Sequence, residues 1–199
     1  MRHLILVLGD QLNLDASAFE GFDPQADVVF MAEVEEESTH VWSSKPRIAL
    51  FISAMRHFRQ ALEGCGIRVR YHALDDCPGF KDLSGALIRT IEEDRPLRCI
   101  VTAPGDYRVL ESLKATLQRL SIPLEIRPDR SFYTEVRDFK QFLSERKEPR
   151  MEFWYRQLRR RFTILMAGQE PEGGVWNLDS ENRQSFGKQG PAGRYVTPE

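Results

Sequence analysis

Apolar residues recur along the chain in two rhythms. Residues 3–8 and 27–32 are near-continuous apolar runs rich in β-branched and aliphatic side chains, the pattern of strands buried on both faces of a parallel sheet. Between them and a third apolar run the spacing changes. Ile48, Phe51, Ile52, Met55, Phe58 and Leu62 recur every three or four positions, which predicts a helix over 45–64 with one apolar face, ended by Gly64 and Gly66. The alternation then repeats: a strand at 67–72, a helix near 82–94 carrying Leu83, Leu87, Ile88 and Ile91, and a strand at 97–102. A further helix carries Val109, Leu110, Leu113, Leu117 and Leu120 and leads to a strand at 122–127. Five strands linked by helical crossovers predict an α/β fold, a five-stranded parallel sheet with helices on both faces. Its ligand crevice then lies at the carboxyl ends of the strands.

After residue 127 the grammar changes. Two helical stretches, 135–145 and 148–166, precede a tail over 168–199 that is rich in Gly, Pro and Asn and poor in aliphatic residues. No further strand is predicted there. The division expected is an α/β domain over 1–167 followed by an interdomain linker over 168–199.

Composition narrows the setting more than the function. Across 199 residues the hydrophobic fraction is 41% and the net charge is −2, enough for a buried core and too balanced to name a partner. Three cysteines, none in a CxxC pair, suggest neither a disulfide framework nor a metal site and fit a reducing cytoplasm. The apolar start at residues 4–8 is too short for a signal or membrane segment.

Chemistry is best sought after each strand. Gly9-Asp10-Gln11 follows the first, where Asp10 either caps a turn or projects into the crevice. Glu33, Glu35, Glu36 and Glu37 follow the second. A charge run is usually a solvated face, which suits Glu35 and Glu36, whereas Glu37 lies nearer the next helix and can face the crevice. Asp10 and Glu37 would offer acceptors to a ligand rich in N–H and O–H donors. The only GxG, Gly64-Cys65-Gly66, precedes a strand instead of opening a helix, so no phosphate cradle is present. Walker A, GxSxG and HExxH motifs are likewise missing.

Between residues 146 and 161 lie seven cations (Arg146, Lys147, Arg150, Arg156, Arg159, Arg160, Arg161) against Glu148 and Glu152. Phosphate contact and plain solubility or interdomain ion pairing are both open readings. Trp154, Leu158, Phe162 and Leu165 share helical spacing and are expected to face a core.

Several motifs occur together in one order: Leu8-Gly9-Asp10-Gln11-Leu12, Glu33-Val34 with Glu37, Ser53-Ala54-Met55-Arg56-His57-Phe58, Pro104-Gly105-Asp106-Tyr107-Arg108, Met151-Glu152-Phe153-Trp154-Tyr155-Arg156, and Gly173-Gly174-Val175-Trp176-Asn177-Leu178-Asp179 running on to Arg183. Each is weak alone. The ordered set resembles the deoxyribodipyrimidine photolyase-related family, the bacterial (6-4) photolyases and cryptochromes that carry an iron–sulfur cluster. The resemblance implies a Rossmann-like N-terminal domain that holds an antenna chromophore, typically 6,7-dimethyl-8-ribityllumazine. It also implies that FAD and a 4Fe-4S cluster belong to a C-terminal helical domain absent from this chain, which could not repair damaged DNA alone. By position, Gly9, Asp10, Gln11, Glu33, Val34, Glu37 and Phe51 match the antenna pocket. Phe51 stands where the resemblance implies a smaller aliphatic residue, so its ring either stacks on the chromophore or, as packing favours, occupies its place. Arg150, Arg156, Arg159, Arg160 and Arg183 are the expected contacts to DNA or to the C-terminal domain. Two rivals stand beside this reading: a self-sufficient small-ligand enzyme using Asp10 and Glu37 as an acid/base pair, and a charge-based interaction module.

Overall fold

The structure is a computed structural model that describes residues 1–76 and 79–179. It divides into two compact units, Met1–Glu135 and Val136–Glu199, the second described as far as Asp179.

The first unit is built on five strands: β1 (His3–Leu6), β2 (Val28–Ala32), β3 (Val69–His72), β4 (Arg98–Thr102) and β5 (Leu124–Arg127). All neighbours pair in parallel, in the order β3-β2-β1-β4-β5, so the sequence expectation of a five-stranded parallel α/β sheet holds. Side-chain alternation divides the core into two layers. Leu4, Leu6, Val28, Phe30, Cys99 and Val101 face one side, where α3 (Leu83–Asp94) and α4 (Tyr107–Arg119) bury Leu87, Ile91, Leu113 and Leu117 on them. Ile5, Val7, Val29, Met31 and Ile100 face the other, covered by Met55 and Leu62 of α2 (Lys45–Gly64) and by Ala18 of a 3-10 turn at Ser17–Phe19. At ~1.5–3 kcal/mol for each fully buried aliphatic side chain, these layers are what hold the unit together.

The chain winds outward from β1 to β3 and then crosses back to place β4 beside β1. That reversal opens a crevice at the carboxyl ends of β1 and β4. Local signals set the helices that flank it. Asp82 caps α3 by accepting from Gly85 N at 2.8 Å, and Asp106 caps α4 by accepting from Arg108 N at 2.7 Å. One element has no apolar rhythm: α1 (Glu35–Thr39) buries none of its side chains.

The second unit holds α5 (Val136–Ser144) and α6 (Met151–Phe162). Phe139, Phe142 and Trp154 form its aromatic core, with ring centroids 5.0–6.1 Å apart, and Arg161 pairs with Asp138 at 3.1 Å. The expected helix over 148–166 is shorter because Arg150 is extended at the start and Thr163 is left-handed at φ 55°. The expectation of no strand after residue 127 is corrected. Met166–Ala167 (β6) and Glu170–Pro171 (β7) form a small antiparallel pair, turned by Gly168 at φ 64°, a conformation that suits glycine in a two-residue hairpin. The segment expected as a linker, 168–199, is described as far as Asp179. Most of the described part is exposed, but Pro171 is buried and Trp176 is partly buried.

Candidate functional site

A cavity of about 200 Å³ opens where β1, β2 and β4 end. The β1 exit contributes Val7, Leu8, Gly9 and Asp10, and the β2 exit contributes Glu33, Val34 and, from α1, Glu37. Phe51, Ile52 and Met55 of α2 form one wall. Pro104, Gly105 and Asp106 after β4 form another. An apolar floor with a few polar groups at the rim is the usual make-up of a small-molecule site. Six of the seven residues picked from sequence line this cavity.

Gln11 does not line it. Its Nε2 donates to Thr102 O at 3.2 Å and Ala103 O at 3.1 Å, tying the β1 exit to the β4 exit. Its buried Oε1 has no hydrogen-bond partner among the described residues. Gly9 and Phe51 are mutually fitted: a Cβ on Gly9 would stand 2.4 Å from Phe51 Cζ. Only the missing side chain lets the ring lie against the strand exit, and with it there the cavity remains.

Glu33 is buried and already engaged. Arg56 donates to its two oxygens at 2.6 and 2.8 Å, Leu74 N donates at 2.8 Å, and the Tyr71 hydroxyl donates a short hydrogen bond. Burial works to raise the Glu33 carboxyl, but the bonds from Arg56, Tyr71 and Leu74 N and the Arg56 charge outweigh it and hold it below the ordinary range. Its acceptors hold α2 and the β3 exit in place around the cavity, so Glu33 shapes the site without offering a free oxygen.

Asp10 and Glu37 are the free acceptors. Neither has a hydrogen bond or ion pair among the described residues. Arg108, whose charge acts on Glu37, donates to Glu36 at 2.6 Å and to Asp106 at 3.3 Å, pinning α1 to the start of α4. Partial burial raises the Glu37 carboxyl above its ordinary value; Arg108 opposes this, and the charges of Glu36, Asp10 and Asp106 add to it. The residue is exposed overall, so water screens the effect. A carboxyl whose pKa is raised by folding favours the folded state below its unfolded pKa, and that contribution is lost as pH rises through the folded value. Glu37→Gln is therefore expected to raise the melting temperature at pH 7, with the gain shrinking to nothing near pH 4, as melts across pH would read.

Asp106 was not picked as a site residue, although the rule that picked Asp10 applies equally to the first acid after β4. Of the arginines, Arg150 is exposed and meets Glu148 at 3.4 Å. Arg156 pairs with Glu152 and lies 5.3 Å from the Trp176 ring. Arg160 lies 4.7 Å from the same ring. Arg159 is buried and donates to Ile164 O at 3.1 Å and to Leu165 O, so its guanidinium serves the chain's own carbonyls. Arg183 lies outside the described residues. Among these residues no group of three or more His, Cys, Asp or Glu side chains is placed to share a metal ion, and no helix is long and apolar enough to cross a membrane.

Comparison with known proteins shows the family of the chain. The profile of the family described as deoxyribodipyrimidine photo-lyase-related protein matches residues 5–199. A (6-4) photolyase of Agrobacterium fabrum (strain C58 / ATCC 33970) is 40% identical over 184 residues, which are 92% of this chain and 36% of that protein. The chain thus spans about a third of the length of that relative. With a match over nearly all of its residues, the chain belongs to the deoxyribodipyrimidine photolyase-related family.

Proposed function

We propose that this α/β unit is the antenna-binding and scaffold part of a light-dependent DNA-repair flavoprotein, and that its cavity takes a ribityl-bearing heterocycle such as 6,7-dimethyl-8-ribityllumazine. The observation that carries the reading is the pair of unpartnered acceptors, Asp10 and Glu37, at the rim of an apolar cavity on the sheet's switch point. The residues fit such a group. Leu8, Ile52, Met55 and Val109 supply apolar contact for a ring, while Asp10 and Glu37 accept from ring N–H or ribityl O–H donors. Phe51 is a wall of the cavity and stacks on the ring. When bound, the chromophore supplies light absorption that is passed to a flavin.

The rim also says what the site excludes. Asp10, Glu37 and Asp106 line it with negative charge, and Asp106 already caps α4. A terminal phosphate would be repelled, so a ribityl chain ending in hydroxyl is preferred. FAD, the iron–sulfur cluster and contact with damaged DNA belong, in this reading, to the full-length protein and its helical domain, and the fragment alone performs no repair. Residues 1–135 act as its α/β portion.

The test is a fluorescence titration of the purified chain with the lumazine. Saturable quenching is expected, weakened about fivefold in Phe51→Ala by loss of roughly 1 kcal/mol of stacking, and about tenfold in Asp10→Ala by loss of a charge-assisted hydrogen bond. Tighter binding by Phe51→Ala would show that the ring occupies the ligand's place. No binding by any form would remove the antenna role.

A further inference from the structure

The motif Pro104–Arg108 ends on an arginine that neither the sheet nor the cavity wall uses. Pro104, Gly105 and Asp106 line the cavity, whereas Arg108 is the second residue of α4 and reaches from there to α1. Its guanidinium forks: one nitrogen donates to Glu36 at 2.6 Å and another to Asp106 at 3.3 Å. Asp10, Glu37 and Asp106 line the same rim with no Lys, Arg or His among the lining residues. The charges of Glu36, Asp10 and Asp106 all act on Glu37, and that of Arg108 opposes them. Arg108 thus stands against four carboxylates.

The construction of α1 makes this contact matter. Its five residues bury no side chain, so no apolar packing holds it over the cavity. Glu35 N and Glu36 N donate to Phe80 O at 3.4 Å and Lys81 O at 3.0 Å, tethering its first two residues. Further along, Thr39 Oγ1 and His40 N return to α1's own carbonyls, and the loop beyond leaves Val41 67% and Trp42 98% exposed. Among the described residues, the Arg108–Glu36 pair is the one side-chain bond from α1 to another element. A partly exposed ion pair contributes little to the stability of a whole domain. A segment without buried surface opens at low cost, however, and there a small change shifts the population severalfold.

We infer that Arg108 is a positioning residue for the cavity: by latching Glu36 to the start of α4 it holds α1 across the mouth and keeps Glu37, the next residue, at the rim. The same contacts engage Arg108 with Glu36 and Asp106, which leaves Asp10 and Glu37 as the acceptors for a ligand. The latch stands on the geometry of the first unit alone. That Glu37 then meets a chromophore rests on the antenna role proposed for the cavity.

Hydrogen–deuterium exchange of the ligand-free chain decides the latch without any chromophore. In Arg108→Gln, peptides covering residues 35–40 should exchange about three- to fivefold faster, with the strands unchanged and the melting temperature within about 2 °C of the parent. Glu36→Gln should do the same, and the two together should add nothing, because both break one contact. Arg108→Lys, which keeps the charge and loses the fork, should fall between. Unchanged exchange at 35–40 in folded Arg108→Gln would overturn the latch. Faster exchange spread over the sheet would overturn it equally, as the mark of a general stabilising role. Fluorescence titration with the lumazine then reads the positioning. Arg108→Gln and Glu37→Gln should each weaken binding about fivefold, and the double variant no more than about fivefold, since an opened α1 has already withdrawn Glu37. Losses that multiply to about 25-fold in the double variant would overturn positioning through Glu37. If no form binds while the exchange effect is present, the latch holds and the chromophore reading is what falls.

Discussion

Glu33→Ala is expected to destabilise the first unit by about 3 kcal/mol, a melting-temperature loss of about 6–12 °C for a chain of this size. The Glu33 side chain is 1% exposed and accepts from Arg56, Tyr71 and Leu74 N. Removing it strands a part-buried hydroxyl and a part-buried backbone N–H, each costing at most ~1–3 kcal/mol. Arg56 is 42% exposed and keeps Asp75 at 3.0 Å, so its charge adds little to the loss. Folding lowers the Glu33 pKa, so its contribution is present above the ordinary glutamate pKa and is lost as pH falls through the folded value. The gap between parent and Glu33→Ala should accordingly be full at pH 7 and narrow progressively below about pH 4. A melting temperature within 2 °C of the parent, on the scale expected of neutral surface changes, would show that the cluster is not structural.

Gly9→Ala should abolish ligand binding through the cavity while costing little stability. The added Cβ would stand 2.6 Å from Phe51 Cε1 and 3.0 Å from Met55 Sδ as well as against Phe51 Cζ. Those distances are too short, and the atom that can yield is the tip of a partly buried ring bordering the cavity. The ring turns inward and fills the space meant for ligand. A loss of at least ~100-fold in lumazine affinity is expected, the scale of a contact site blocked by overpacking. Gly9→Ala/Phe51→Ala removes the obstruction and should recover binding to within about fivefold of the parent, the stacking contribution alone being missing. Failure of the double variant to recover would place the effect of Gly9 in backbone conformation and not in the ring.

The parts of this molecule that sequence makes legible are those with a periodic apolar face. β1, β2 and β4 are central strands buried on both sides, and their runs are continuous. The edge strands β3 and β5 begin two residues later than the apolar runs suggest, at Val69 and Leu124, because Ile67 and Ile122 pack outside the ladder. α1 could only be read as a charge cluster, since it buries nothing. The cavity residues were visible because strand exits are fixed by topology, yet the role of Glu33 was not: its partners Arg56 and Tyr71 lie 23 and 38 residues away. Arg159 is a similar case. Its burial depends on a left-handed Thr163 that returns the carbonyls of Ile164 and Leu165 to it, and a turn of that kind at a non-glycine residue has no strong local signal.

Hydrogen–deuterium exchange of the chain with and without saturating 6,7-dimethyl-8-ribityllumazine tests the central claim most directly. Slowed exchange is expected in peptides covering residues 7–10, 32–38, 51–55 and 104–109, the segments that wall the cavity, with residues 136–179 unchanged. Protection confined to other segments, or none at saturation, would contradict the assignment of this cavity as the chromophore site.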